Sequence, residues 1–224
     1  MLEQHLYEIT YNKKGLELGG PSDIGIGIYM FADIIDNVIF KKNTVWSNNE
    51  SDEYKYYDNK VGKVIISDAV DISVINNETY DFAVSIHLLE HIANPLKAIK
   101  EWLRIVKNDG YIIIVVPEKS LCFDHKRDYS KFSTLLEQYE KNVGEDDLST
   151  LKEILTNHDL NEDKPAGTFL EFTKRCLDNF NNRCMHHYVY NDDLLLEISN
   201  YFNCLYIYHE TRGINKWFII KKNN

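Results

Sequence analysis

The 224-residue chain has few residues that could staple or punctuate it: four cysteines, four prolines and ten glycines. Cys122, Cys176, Cys184 and Cys204 are scattered without a Cys-x-x-Cys pair, which argues against a zinc ribbon or a disulfide framework and leaves free, buried thiols as the expectation. Long hydrophobic runs are also missing. None approaches the roughly 20 residues of a membrane span, and Met1-Leu2-Glu3-Gln4-His5 lacks the basic start and apolar core of an export signal. The expectation is therefore a cytoplasmic chain with no membrane partner. Positive charge is scarce, 25 Lys plus Arg against 35 Asp plus Glu, a formal net charge of -10. Such a surface repels phosphate backbones and anionic lipid, so nucleic acid is not expected as partner. Composition leaves the oligomeric state open.

What is present is an alternation of apolar runs and turns. Leu2, Leu6 and Ile9 at near-helical spacing predict a leading helix. Leu16 to Leu18 predict a short strand that ends in Gly19-Gly20-Pro21-Ser22. Glycine there lets backbone approach a ligand closely, as at the opening of a parallel α/β sheet. Gly25 and Gly27 leave little room for a regular helix, so a short or irregular first crossover is expected. A second apolar run, Tyr29 to Ile35, leads to Asp36, some 17 residues beyond Gly19 and close to where an acidic residue meets ribose hydroxyls in a nucleotide-type fold, with Asp33 as competitor for that role. Residues 41–60, polar and anchored only by Trp46, predict a loop with at most a ragged helix. Val64 to Ser67 predicts a third strand, followed at once by Asp68-Ala69.

Tyr80 to Ile86 reads as a buried strand, Pro95 to Val106 as an amphipathic helix closed by Asn108-Asp109-Gly110, and Tyr111 to Val116 as a strand covered on both faces. This strand-helix-strand unit implies a parallel sheet. From 119 to 186 the alternation gives way to a helical insert. It carries a stripe at Leu148, Leu151, Ile154 and Leu155, a capping box from Thr168 to Glu171, and Phe169, Phe172, Cys176 and Phe180 at helical spacing. Its acidic run, Glu137 to Asp163, most simply forms a solvated face. Asp192 to Phe202 predicts a helix, and Cys204–His209 with Lys216–Lys221 a closing antiparallel pair. The fold class is α/β: a Rossmann-like, mostly parallel sheet with an antiparallel C-terminal strand pair and a helical lid insert, in one domain over 1–224.

Leu-Glu-Leu-Gly-Gly at 16–20, Ser67-Asp68-Ala69, and Tyr80-Asp81-Phe82 through Leu89-Glu90-His91 to Asn108-Asp109-Gly110-Tyr111 resemble the class I S-adenosylmethionine-dependent methyltransferases of the small-molecule branch. The resemblance implies S-adenosylmethionine as cofactor. It implies Glu17, Gly19 and Gly20 along the methionine portion, Asp36 on the ribose diol, Asp68 and Ala69 at the adenine, and Ser85 to His87 facing the sulfonium and acceptor. Pro21 and Asp23 depart from the family's Gly-x-Gly-x-Gly. The insert, with Glu145-Asp146-Asp147, His158-Asp159 and Asn179 to His187, resembles methyltransferases encoded with bacterial surface-polysaccharide genes. That likeness implies a sugar, sugar nucleotide or capsule-type precursor as acceptor.

Methyl transfer requires acceptor and sulfonium held in near-attack geometry, and a hydroxyl acceptor also requires a base. The insert and its borders supply His125, with Asp124 beside it, and His158, His186 and His187, of which His125, His186 and His187 are the leading candidates; Arg127, Arg175 and Arg183 could clamp phosphate or carboxylate on the acceptor, Arg127 and Arg183 foremost. His87 and His91, at the strand-to-helix turn, are also explained by hydrogen bonding or capping. Adjacent His186 and His187 in an extended segment point to opposite faces, and no metal is expected. A nicotinamide-dependent oxidoreductase is disfavoured because no Gly-x-Gly-x-x-Gly follows the first strand. A non-catalytic binding protein on the same fold is the alternative.

Overall fold

The computed structural model describes residues 1–45 and 50–223, so Trp46 lies outside the described residues. Eight strands form one sheet in the order β3-β4-β2-β1-β5-β6-β8-β7: β1 Lys14–Leu18, β2 Ile34–Ile39, β3 Glu53–Tyr57, β4 Lys60–Ile66, β5 Tyr80–Ile86, β6 Val106–Pro117, β7 Leu205–Arg212 and β8 Asn215–Lys221. The centre, β4-β2-β1-β5-β6, is parallel, while β8 runs antiparallel to both β6 and β7. The expected Rossmann-like sheet with an antiparallel C-terminal pair is what the chain adopts.

Helices cover both faces. On one side α1 (Leu2–Thr10) and α2 (Ile26–Phe31) pack on Phe82, Val84, Ile113 and Val115. On the other, α3 (Pro95–Ile105), α4 (Phe132–Glu140) and α8 (Asp192–Tyr201) pack on Leu16, Leu18, Ile112 and Ile114. The alternation of 112, 114 and 113, 115 to opposite faces is the pleat of a strand buried on both sides, and it explains why β6 reads as a continuous apolar run. Trp102 and Trp217 are buried, as expected of packing residues.

Three boundaries differ from expectation. Tyr29 to Phe31 complete α2, so β2 starts only at Ile34 and ends at Ile39. Residues 53–57, read as loop, form β3: Tyr54 and Tyr56 alternate inward between exposed Glu53 and Lys55, a period of two carried by tyrosine rather than aliphatics. Asn108-Asp109-Gly110 does not cap α3, which ends at Ile105; the tripeptide lies inside β6, with Asp109 at a φ of 60°.

Between β6 and α8 lie α4, α5 (Leu151–Asn157), α6 (Phe169–Leu177) and α7 (Asn179–Asn182). The capping box is present: Glu171 N donates to Thr168 Oγ1 at 3.3 Å, and Thr168 N to Glu171 Oε2 at 2.7 Å. Much of the acidic run is paired rather than solvated, with Glu153 on Arg127, Asp159 on Lys126 and Asp163 on Arg175. Phe172 and Cys176 are buried, but Phe169 and Phe180 are exposed. The two ends of this segment meet at one side chain: buried Lys216 on β8 contacts Glu118 at 3.3 Å and Asp192 at 3.2 Å.

Candidate active site

A cavity of about 640 Å³ opens at the carboxyl ends of the central strands, the position where such sheets bind ligands. One wall is the turn after β1. Gly19 and Gly20 both have positive φ, 80° and 72°, which L side chains rarely adopt. A Cβ on Gly20 would also overlap the Glu17 carboxylate. Asn37 fastens the turn from β2, its amide donating to Glu17 O and Gly19 O. Asp68 and Ala69 after β4 and His87 after β5 complete this side.

Three expected cofactor residues lie elsewhere. Glu17 is fully buried beneath the turn rather than facing the cavity: Tyr29 Oη donates to its Oε1 at 2.8 Å, and Tyr54 Oη donates to Oε2. Tyr29 Oη in turn accepts from Ser22 N at 2.9 Å, so Glu17 supports the turn from below. Burial pushes its carboxyl up to about 7, against the pull of the two tyrosine hydroxyls. Asp36 sits inside β2, not after it, because the strand starts later than the apolar run suggests. Its Oδ1 accepts from Lys63 N and its Oδ2 from Tyr80 Oη, both at 2.9 Å. The β2 edge of the cavity is instead Val38, Ile39 and Phe40, none of them acidic. Ser85 is buried within β5, and the cavity begins one residue later at Ile86.

The opposite wall joins the 3-10 turn Leu89–His91 to the segment after β6. Glu90 is 1 % exposed, yet neither carboxylate oxygen has a hydrogen-bond partner. Burial raises its pKa and drives that of neighbouring His91 well below the ordinary imidazole value. His186 also lines the cavity, with its Nδ1 2.6 Å from Asp124 Oδ2. That contact fixes the ring and leaves Nε2 as its free nitrogen. Asp124 is desolvated, which favours its acid form, but His186 and the Arg127 guanidinium outweigh this and keep it ionised far into acid.

The remaining expected residues divide. Arg183 reaches the cavity, 2.9 Å from Asp68 and 3.4 Å from Glu145, and thereby ties the insert to the end of β4. Arg127 does not line it. Its donors go to Asp124, Glu153, His186 O and His187 O, so it braces the wall instead of clamping an acceptor. His125 is outside the cavity lining, paired with Asp159 at 2.9 Å. His187 is buried beside Asn179 and Glu145, and burial depresses its pKa to about 3; it too is absent from the lining. As adjacent residues of an extended segment, His186 and His187 point to opposite sides, and only His186 faces the cavity. Glu90, Asp124 and Tyr54 were not among the expected site residues. Two of them left a trace in the sequence, Glu90 in Leu89-Glu90-His91 and Asp124 beside His125.

The geometry agrees with what the chain is similar to. By sequence, no curated protein matches it. Solved structures do match in fold. A SAM-dependent methyltransferase of Methanosarcina mazei shares 14% identity and a TM-score of 0.56, over 98% of this chain and 96% of that one. An S-adenosylmethionine-dependent methyltransferase described as putative, from Listeria monocytogenes, gives 11% and 0.52 over 99% and 98%. The N-methyltransferase NodS of Bradyrhizobium japonicum gives 7% and 0.50 over 100% and 95%. The methyltransferase-domain family itself matches residues 8–163, from the end of the leading helix through the glycine turn, Asp68-Ala69 and the Leu89–His91 turn into the insert, short of Arg183 and His186. The chain belongs to the methyltransferase-domain family.

Proposed function

We propose that the chain transfers the methyl group of S-adenosylmethionine to a hydroxyl oxygen of a small polar acceptor. The observation that carries this reading is a single cavity with two chemically different walls. The glycine turn with Asp68-Ala69 and His87 suits a donor bearing an ammonium group and hydroxyls, and the Glu90-His91-His186 wall suits an acceptor that must lose a proton. In the reaction the acceptor O–H proton passes to that wall and the oxygen attacks the methyl carbon. The S–CH3 bond breaks with its electron pair going to sulfur, leaving a methyl ether and S-adenosylhomocysteine. The protein's share is orientation, proton removal and exclusion of water.

A sugar, sugar nucleotide or related precursor is the acceptor class proposed, resting on the resemblance of residues 145–187. Residues 119–186 act as lid and specificity element, with Arg183 positioned to meet an anionic group. Calorimetry tests the donor half: wild type binds S-adenosylmethionine, and Asp68→Ala weakens binding about tenfold, the order expected for a lost charge-assisted hydrogen bond. Turnover to S-adenosylhomocysteine across hydroxylated sugars and small amines tests the acceptor half. Turnover with amines alone overturns O-methylation, and absence of donor binding by wild type overturns the whole reading.

A further inference from the structure

We infer that Glu90, His91 and His186 form a binding site for a divalent transition-metal ion that takes an acceptor oxygen as a further ligand. The inference rests on the reading of this cavity wall as the acceptor end.

The candidate ligand atoms of the three residues lie within 4.8 Å of one another. The two imidazoles meet edge to face, with centroids 4.4 Å apart and planes at 86°. Glu90 supplies an independent indication. A carboxylate that is almost wholly buried and lacks any hydrogen bond is costly unless a cation completes it. The nearest cationic candidate, His87 Nδ1, stands 3.8 Å from Oε1, beyond hydrogen-bond range. The backbone at Glu90 is itself fixed, its carbonyl accepting from His187 N at 2.7 Å.

The surroundings of His186 have the form that metal-binding histidines usually show. A ligating imidazole generally gives its second nitrogen to a carboxylate, which sets the ring's orientation and its basicity. Asp124 occupies that place at 2.6 Å, and Arg127 Nη1 holds Asp124 in turn at 2.9 Å. Arg127 and Asp124 are thus positioning residues for the ring. One carboxylate oxygen with two imidazole nitrogens is a donor set for zinc, cobalt, manganese or iron rather than for calcium or magnesium, which prefer all-oxygen sites. Three protein ligands leave coordination positions open toward the cavity.

An ion there would act as a Lewis acid on a hydroxyl acceptor. With one Glu90 oxygen on the ion, the other accepts the hydroxyl proton, and His186 serves as ligand rather than as base. The acceptor oxygen, still on the metal, then attacks the donor methyl as the S–CH3 bond breaks.

The test uses the full chain stripped with chelator and titrated with Co²⁺ alone, followed by visible ligand-field absorption, then displacement by Zn²⁺. The expected result is saturable binding of about one equivalent, weakened at least ~10-fold in Glu90→Gln and His186→Ala and ~10–100-fold in Asp124→Asn, with affinity unchanged in His158→Ala, whose ring pairs with Asp163. Two ligand variants are carried so that a folding defect in one, seen by circular dichroism, leaves the other to decide. Absence of saturable binding by wild type, or wild-type affinity in both ligand variants, overturns the site. S-adenosylmethionine binding is measured on the same samples without metal. Donor binding without metal binding removes the ion site alone, and metal binding without donor binding removes the methyl-transfer reading while leaving the ion site standing.

Discussion

Glu17 illustrates how far a residue's role can sit from its type. A carboxylate at the end of the first strand suggests a ligand contact, but here two tyrosine hydroxyls hold it beneath the glycine turn. Its folded pKa is raised from the ordinary carboxyl value to about 7. Between roughly pH 4.5 and 7 the folded state therefore binds more protons than the unfolded state, so this group's contribution to stability is full at the acid end of the window and is lost as pH rises through it. Chemical unfolding from pH 4.5 to 8 is expected to show that decline, on the order of 3 kcal/mol at most. Glu17→Gln, which keeps an acceptor oxygen for the tyrosines and cannot titrate, is expected to flatten it. An unaltered pH profile in the variant would show that the carboxyl titrates normally. At this scale the legible residues were those whose position follows from a strand end, Gly19, Gly20, Asp68, Ala69 and His87. Asp36 was misplaced because a helix end and a strand start share one apolar run. Glu90 could be quoted but not interpreted, because its burial is created partly by residues 118–187, far along the chain.

At the scale of elements, the contact that joins the two walls is Arg183. It follows α7 in the left-handed region, φ 56°, and carries the insert onto Asp68 after β4. The Lys41 ammonium, just beyond the carboxyl end of the neighbouring β2, donates to Asn181 O. Arg183→Ala is expected to cost about 1 kcal/mol of global stability, since both ion pairs are partly solvated. Its main effect is expected locally, as faster amide hydrogen exchange across 179–187 with the central strands unchanged. Equal exchange in both proteins would remove Arg183 as a fastener of the insert. The parallel unit from Tyr80 to Val116 was legible because continuous apolar runs and a Pro-initiated helix follow from local chemistry. Strand β3 was not, since its inward residues are tyrosines in a polar stretch, and what anchors them lies on other strands: Tyr54 donates to Glu17 of β1, and Tyr56 accepts from Ile35 N of β2.

For the whole molecule, the insert is bonded to the sheet layer at several separate points. Glu145 accepts from Ala93 N at 2.9 Å, Tyr188 Oη donates to Ala93 O at 2.9 Å, and His187 N donates to Glu90 O at 2.7 Å. These links predict that insert and sheet unfold together. Calorimetry of the unliganded protein should give one transition with equal calorimetric and van't Hoff enthalpies, and a resolved early transition would make the insert an independent folding unit. Among the described residues no helix is long and apolar enough to cross a membrane.

Lys216 carries a consequence of another kind. One ammonium group touches the residues at which the polypeptide leaves β6 and enters α8, Glu118 and Asp192. The two ends of the intervening stretch are therefore neighbours, bridged by one side chain. Asp124, Arg183 and His186 travel with that stretch, while the glycine turn and Asp68 stay in the chassis. On the proposed function, transplanting 119–191 between relatives that keep a lysine at this junction is expected to exchange acceptor preference, read as turnover across acceptors, with S-adenosylmethionine affinity by calorimetry unchanged.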